Sequence, residues 1–187
     1  LWRDFFTHIA FYFPYIFKGS FNKRYDKIEW VNDKSKFDKW MKGETGFPII
    51  DAGMRELNIT GFMHNRVRMI VASFLVKDLQ ISWRWGEAYF ARNLVDYDPS
   101  VNNGNWQWVA SSGCDAQPYF RIFNPWLQQK KFDKDALYIK KWIPELKNFS
   151  ASEIHSHEKK HLDGYPEPIV VHEDARKITE RIYSVVK

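Results

Sequence analysis

The sequence predicts an all-α domain. Apolar residues recur at helical spacing in the longer segments, as they do at Val67, Ile70, Val71, Phe74 and Leu75. No segment shows the regular alternation of apolar and polar residues that is typical of a strand. With 187 residues, 44% of them hydrophobic, the chain is long enough to bury the core of one domain, and it contains no internal repeat.

The first half of the chain contains three predicted helices. The aromatic pattern between Trp2 and Phe13 favours the first. Residues 18–42 mix charged, aromatic and turn residues, and we assign no helix there. The second predicted helix covers residues 45–57, with Pro48 in its first turn, where a missing N–H is tolerated. The third covers residues 62–79.

The second half continues the helical pattern. Further helices are predicted over residues 86–95, 134–142 and 174–186. Residues 96–100 form an acidic, proline-marked turn before a tryptophan-rich segment. Residues 165–172 are expected to be extended because they contain two prolines.

Composition narrows the classes of partner and function. A formal charge of +5 and a pI near 9.2 favour a polyanionic partner. Nine Trp and fifteen Phe exceed the usual needs of core packing, so some rings are expected to serve in stacking, cofactor binding or electron transfer. Motifs of the P-loop, GxGxxG, GxSxG or HExxH kind do not occur, so the corresponding hydrolytic and dinucleotide chemistry has no support.

The sequence predicts no disulfide, membrane span, signal peptide or metal site. The single Cys114 is expected to be a packing residue in a reducing compartment, since it cannot form an internal disulfide or a metal site alone. The apolar stretch 10–17 is far shorter than the roughly twenty residues that span a bilayer, and no signal peptide is evident. We also predict no metal at His155, His157 and His161, which lie in a lysine-rich stretch without an obvious fourth ligand.

The segment from Asp96 to Trp108, DYDPSVNNGNWQW, is the most informative part of the chain. If it is helical, Asn102 and Trp106 lie four residues apart on one face, whereas Trp108 points away from Trp106. The two indoles are therefore expected to have different environments. The alternative is purely structural, with one Trp in the core and the other on the surface.

Two arginines precede this segment. A buried Arg68 would need a carboxylate partner such as Asp96 or Asp98. Arg66 lies on a different face of the predicted helix from Arg68, and its side chain could face either solvent or a phosphate.

Taken together, a set of ordered motifs resembles the flavin-binding domain of the photolyase and cryptochrome family. The resemblance covers nearly the whole chain and implies a helical domain that holds FAD beneath a cavity for a flipped lesion. It also implies that residues 1–187 are only the carboxy-terminal portion of that domain, without the antenna domain and the upstream segment that holds the flavin pyrophosphate. The piece alone is then expected to bind FAD weakly or not at all and to be inactive. The motifs are TGFPIIDAGMREL, TGFMHNRVRM, ASFLVKDL, ISWRWGEAYF, DYDPSVNNGNWQW, PYFRIFNP and YPEPIVVH.

The resemblance also implies a role for individual residues. Arg68 pairs with Asp96 beside the flavin, Asn102 faces the central-ring nitrogen of the flavin, and a second antenna chromophore binds elsewhere. The cofactor-binding positions are Arg3, Asn65, Arg68, Asp96, Asp98 and Asn102. The electron relay is Trp30, Trp83 and Trp106, and the DNA-binding positions are Trp2, Asn65, Arg66, Met69, Trp108 and Arg121.

The activity that the resemblance implies is light-driven splitting of cyclobutane pyrimidine dimers in damaged DNA, by electron transfer from excited reduced FAD. The expected protein is a monomer in the cytoplasm and belongs to class I. A cryptochrome photoreceptor is the alternative, although that branch commonly has Asp or Cys where this chain has Asn102. A third interpretation is a flavin-free module that binds single strands on its Trp rings. Photolyases of (6-4) products have His at the positions of Asn65 and Met69, which favours cyclobutane dimers here.

Overall fold

The computed structural model describes residues 1–114 and 120–186, and within these ranges the chain is helical and contains no β-strand. The predicted all-α fold is confirmed. Three 3₁₀ turns, Pro14–Phe17, Lys23–Lys27 and Pro144–Leu146, and one π-helical turn, Phe74–Asp78, lie between the α-helices. The α-helices of the described residues are α1 (Trp2–Tyr12), α2 (Lys34–Lys42), α3 (Pro48–Thr60), α4 (Asn65–Ser73), α5 (Trp83–Asn93), α6 (Pro99–Val109), α7 (Pro125–Phe132), α8 (Leu137–Trp142), α9 (Ala151–His155) and α10 (His172–Ser184).

Three helices were not predicted from the sequence, and the helical form of the segment that is α6 was considered only as a condition. Helices α2, α7 and α9 are short, at nine, eight and five residues, so each offers few repeats of the apolar pattern. Their starts nevertheless have side-chain caps. The Asp33 carboxylate accepts from the N–H of Lys36 at 3.1 Å, and Ser150 and Glu153 form a reciprocal capping box. Local cap signals therefore identify these helices better than periodicity does.

The remaining differences concern helix boundaries. Helix α5 begins at Trp83, three residues before the predicted start at Gly86. Gly86 does not begin the helix but lies inside it, where it makes close contact with a neighbouring helix. Helix α4 ends at Ser73, and its last predicted turn is π-helical. Helix α10 begins at His172, and the segment before it is not helical, as its prolines predicted.

The core is built around α3, which packs against α2, α4, α7 and α8. Trp40 is fully buried, and its indole N–H donates to the carbonyl of Val71 at 3.0 Å. Phe47 packs between Phe74 and Trp126, with both ring centroids 4.6 Å away. A large part of the aromatic content is therefore core, and it holds α4 firmly against α3.

Two glycines allow α6 to approach its neighbours closely. A Cβ at Gly104 would lie 2.1 Å from the ring of Phe6 in α1, and a Cβ at Gly86 in α5 would lie 2.1 Å from the ring of Trp106. Neither distance is compatible with a side chain, so each glycine is needed for a helix contact. These contacts bring α1, α5 and α6 together around one space.

A buried polar cluster joins the π-helical turn to α10. The ring Nδ1 of His172 lies 2.5 Å from Oδ1 of Asp78, and both side chains are buried. The amide of Gln80 donates to the carbonyl of Lys77 at 3.0 Å and to the hydroxyl of Thr179 at 3.0 Å. The Thr179 hydroxyl in turn donates to the Lys77 carbonyl. We refer to Asp78, Gln80, His172 and Thr179 as the α10 lock.

Candidate functional site

A cavity of about 1160 Å³ lies where α1, α4, α5 and α6 meet. Its wall is largely aromatic and apolar, with a few amide and charged groups. Its volume exceeds the roughly 300–1,000 Å³ of pockets that take a drug-sized ligand. It can therefore hold a large cofactor or two ligands together. The predicted site residues that line it are Trp2, Asn65, Arg68, Met69, Asn102, Trp106 and Trp108.

Arg68 forms the charged rim of the cavity. Its Nη2 donates to the Oδ1 and Oδ2 atoms of Asp96 at 3.1 and 2.9 Å, and its Nε donates to the carbonyl of Met63 at 2.6 Å. The carboxylate that the sequence analysis required is thus Asp96 rather than Asp98. These bonds fix the guanidinium in one orientation and compensate its charge. Its place beside a flavin remains a prediction.

Asn65 and Met69 lie one helical turn apart on α4, and both line the cavity. The Asn65 Nδ2 atom lies 3.7 Å from the Met69 sulfur. In the part of the chain that the structure describes, this weak contact is the sole bond of the Asn65 amide. Most of its hydrogen-bonding capacity is therefore available to a ligand.

Helix α6 positions Asn102 through its own start. The Asp98 carboxylate accepts from the N–H of Val101 at 3.0 Å, and Pro99 occupies the first turn, so the helix begins one turn before Asn102. Asn102 is 8% exposed, and its Nδ2 donates to the backbone carbonyl of Glu87 at 3.1 Å. Its Oδ1 accepts from none of the described residues, and Asn102 lines the cavity, so this acceptor is available to a ligand there.

Trp106 and Trp108 share the cavity but differ in burial. Trp106 is 2% exposed and packs edge-on against Phe90, with centroids 5.0 Å apart, and against Trp40 at 6.4 Å. Trp108 is half-buried. The two environments differ as predicted, yet both rings line one cavity, so Trp108 is not simply a surface residue.

The structure places the other two predicted relay residues away from the cavity wall. Trp83 is buried on α5, one turn before Gly86, which contacts the Trp106 ring. Trp30 is half-buried and contacts the ring of Tyr183 at 6.0 Å. Among the described residues, no direct ring contact joins Trp83 to Trp30 or Trp106. The relay remains a prediction.

The remaining predicted residues also lie outside the cavity lining. Arg3 and Arg121 are exposed, Asp98 caps α6, and Arg66 lies on α4 beside Asn65. The first two residues of the motif that contains Arg121, at positions 118 and 119, lie outside the described residues. The cofactor and DNA roles of these four side chains stay predictions.

A buried polar network that sequence reasoning missed supports Asn102. The amide of Asn103 donates to a carboxylate oxygen of Glu87 at 2.8 Å, and the Gln107 amide donates to the Asn103 side-chain oxygen at 2.8 Å. Burial raises the pKa of Glu87, although the hydrogen bond from Asn103 and the charge of Arg84 oppose the shift. The network ties α6 to α5 and so fixes the Asn102 side chain. The paired asparagines were the one signal of it in the sequence.

Two of the three histidines of the lysine-rich stretch hydrogen-bond to protein groups, and the third, His161, lies beside the ring of His157. His155 contacts Gln129 at 3.0 Å and the Lys134 carbonyl at 2.9 Å. His157 contacts the Pro166 carbonyl at 3.0 Å, and its ring lies 5.4 Å from that of His161. Among the described residues no group of three His, Cys, Asp or Glu side chains is arranged to hold a metal ion.

Within the described ranges, no helix combines the length and hydropathy that are required to cross a membrane.

The fold is a helical domain with a cavity large enough for a large ligand. The sequence profile of the family described as "FAD binding domain of DNA photolyase" matches residues 1–185. The chain belongs to this family.

Individual relatives agree with the family. The chain is 49% identical over 191 residues to the deoxyribodipyrimidine photo-lyase of Vibrio cholerae, covering 100% of this chain and 41% of the relative. Among solved structures, it matches an archaeal photolyase from Sulfolobus tokodaii with two FAD molecules, with a TM-score of 0.95 and 54% identity over 98% of this chain and 42% of the other. The chain thus spans less than half the length of these relatives.

Two further solved structures show how broad the similarity is. A bacterial class III photolyase from Agrobacterium tumefaciens gives a TM-score of 0.93 and 47% identity, covering 99% of this chain and 41% of the other. A cryptochrome from Synechocystis gives 0.89 and 38%, covering 97% and 40%. The overall fold is therefore common to structures described as photolyases and to one described as a cryptochrome.

Proposed function

We propose that the complete protein is a class I photolyase that uses light and FAD to split cyclobutane pyrimidine dimers in DNA. The observation that carries the proposal is the cavity itself, because it brings an amide-lined, apolar inner wall and an aromatic outer wall into one space. Trp106 and Asn102 lie on the inner wall, whereas Trp2 and Trp108 are the more exposed rings. Cofactor and lesion would meet in this space.

The cavity fits a flavin. Its volume of about 1160 Å³ suits a large cofactor, the apolar wall suits a planar ring system, and the unbonded Oδ1 of Asn102 can accept from a ring N–H. FAD, when bound, would supply the single electron that opens the dimer under light. The residues proposed to hold it are Arg3, Asn65, Arg68, Asp96, Asp98 and Asn102. A second, light-harvesting chromophore is proposed elsewhere in the complete protein.

The protein side chains bind and orient the lesion. Photolyases are among the enzymes that act on a base taken out of the duplex stack. Trp2 is 74% exposed at the cavity and, with Trp108, offers a stacking face to the extruded bases. Asn65 can bond to a base edge, and Met69 fills the apolar side. Arg66 and Arg121 would contact phosphates, which agrees with the net charge of +5.

Trp30, Trp83 and Trp106 would carry electrons between the protein surface and the cavity. Trp30 is half-buried, whereas Trp83 and Trp106 are both buried, and Trp106 lines the cavity. In the complete protein, Trp106→Phe should abolish photoreduction of the oxidised cofactor, because phenylalanine is much harder to oxidise. Repair that starts from chemically reduced FAD should persist. Unchanged photoreduction would reject the relay.

The lesion class follows from what Asn65 and Met69 cannot do. Neither side chain titrates near neutral pH, so neither can deliver a proton as an imidazole would. We therefore infer that the protein repairs thymine cyclobutane dimers and leaves (6-4) products unchanged. Chromatography of oligonucleotides with one defined lesion, before and after illumination of the protein with reduced FAD, tests this. Efficient (6-4) reversal without dimer repair would overturn the assignment.

A cryptochrome remains the second candidate, because the similarity to the Synechocystis cryptochrome extends over 97% of the chain. Asn102 favours repair over signalling. Absence of dimer repair together with a stable, light-reducible flavin spectrum would favour the photoreceptor, and absence of any flavin spectrum would favour a single-strand-binding module. Within the repair proposal, the protein acts as a monomer in the cytoplasm.

A further inference from the structure

Arg66 and Arg68 lie two residues apart on α4, yet their guanidinium groups have different kinds of partner. Arg68 is paired with Asp96, as described above. Arg66 forms no ion pair with any carboxylate of the described residues. Its guanidinium carbon instead lies 4.5 Å from the centroid of the Phe132 ring.

The ring of Phe132, the last residue of α7, is 44% exposed. Exposed apolar side chains are common on this protein, so the informative feature of Phe132 is what its ring contacts. The ammonium of Lys131 lies 5.4 Å from the same ring. Phe132 therefore gathers two cations, and it does so on an open surface.

Among the described residues, neither Arg66 nor Lys131 forms an ion pair with a carboxylate. Asp133, the next residue, uses one side-chain oxygen to accept from the N–H of Tyr138 at 3.1 Å and the other to accept from the N–H of Ile139 at 2.9 Å. An aromatic face attracts a cation without neutralising it, and a guanidinium that lies over a ring keeps its N–H edge free to donate. A cation held in this way is oriented and still fully charged, which is what an anionic ligand requires.

We propose that Phe132 is a positioning residue that holds the Arg66 guanidinium ready for a DNA phosphate, with Lys131 adding a second positive charge at the same place. The inference rests on the proposed function and deepens it. Arg66 directly follows Asn65, which lines the cavity, so the phosphate concerned is one that flanks the nucleotides held in the cavity. Phe132 itself need not touch DNA.

The test is a double-mutant cycle in the complete, FAD-loaded protein, with Kd measured on a duplex oligonucleotide that contains one thymine dimer. Phe132→Leu, which keeps apolar bulk but loses the ring, should weaken binding about two- to fivefold. Phe132→Trp should restore it. In the Arg66→Ala background, Phe132→Leu should cause no further loss, because there is no guanidinium left to position.

Controls separate positioning from folding. Leu127 is 61% exposed on the same helix, and Leu127→Ala should leave the Kd unchanged. The thermal unfolding midpoint of Phe132→Leu should remain close to that of the wild type. An equal loss from Phe132→Leu in the presence and absence of Arg66 would overturn the inference, since that pattern indicates a merely structural role.

The salt dependence distinguishes the two levels of the proposal. Arg66→Ala should lower the slope of log Kd against log salt by about one. If Arg66→Ala changes neither Kd nor the slope, the proposed phosphate contact itself fails. If Arg66→Ala changes both and Phe132→Leu changes neither, only the positioning role of Phe132 is rejected.

Discussion

The α10 lock and the cavity wall both contain side-chain amides, but the amide of the lock makes more hydrogen bonds to the protein than the amide of the cavity wall does. In the lock, the Gln80 amide donates to the carbonyls of Lys77 and Asp78 and to Thr179, and His172 bonds to Asp78. On the cavity wall, the Asn102 amide makes one bond to the protein within the described residues. The bonds of the lock hold α10 in place, although Oδ2 of Asp78 is buried without a hydrogen-bond partner among the described residues. Asn102 differs because its side chain lines a cavity that a ligand can occupy.

Removing the lock should have the largest effect on folding. Asp78→Ala leaves His172 buried without its partner, and we expect a loss of about 3 kcal/mol in the free energy of unfolding. The value lies at the low end for a buried pair because an imidazole can lose its proton. Urea unfolding measures it. Asp174→Ala, in an exposed pair with Lys177 on the same helix, should cost under about 1 kcal/mol, and equal costs for both variants would contradict the lock.

Introducing a side chain at Gly104, where α6 contacts α1, should have the next largest effect on the free energy of unfolding. Gly104→Val places side-chain atoms where the Phe6 ring now lies, 2.1 Å from the position of the Cβ, so we expect a loss of about 1–3 kcal/mol from overpacking. Because Phe6 lines the cavity, the flavin content of the complete protein should also fall. Ala88→Val, at an exposed position of α5 that does not line the cavity, is the control for helix propensity. A variant with unchanged stability and full flavin content would refute the close contact.

The lock should also make part of the stability depend on pH. Burial raises the pKa of Asp78 to about 6, although the hydrogen bond from His172 opposes the shift. Burial works to lower the pKa of His172, but the hydrogen bond and charge of Asp78 outweigh it and the pKa is raised. Both groups therefore bind protons more tightly in the folded state. The contribution of these two groups to the free energy of unfolding is fully present at pH values below their pKa values in the unfolded state. It is lost as the pH rises through their pKa values in the folded state.

The measurement compares the wild type with the double variant Asp78→Asn/His172→Gln, in which neither position titrates. The stability advantage of the wild type should shrink as the pH rises from about 4 to 8. Urea titrations at several pH values give this difference. An advantage that grows with pH would show that the signs of the two shifts are wrong.

The cavity rim should show the smallest effect on stability. Asp96→Asn keeps the size of the side chain but removes the charge opposite Arg68, and Asp96 is 48% exposed. We expect a change under about 1 kcal/mol in the free energy of unfolding. Flavin retention in the complete protein should nevertheless fall, measured by absorbance after gel filtration. If Asp96→Asn destabilises the fold as much as Asp78→Ala does, the conclusion that the lock contributes more to stability than the cavity rim is wrong.

The sequence by itself determined the helical class and much of the local structure. The spacing of apolar residues and Pro48 located α1, α3 and α4, because periodicity and helix starts depend on neighbouring residues. The start of α6, capped by Asp98, was not predicted. The same local rules placed Asn65 one turn before Met69. Short helices such as α9 escaped detection because five residues cannot display a period.

The tertiary structure decided which distant residues meet. Arg68 had two candidate carboxylates, and the fold chose Asp96 because Asp98 caps α6. Nothing in the local sequence paired Asp78 with His172, which lie 94 positions apart. Such contacts depend on how whole helices pack, and packing at Gly86 and Gly104 is set by shape complementarity that no short window of sequence contains.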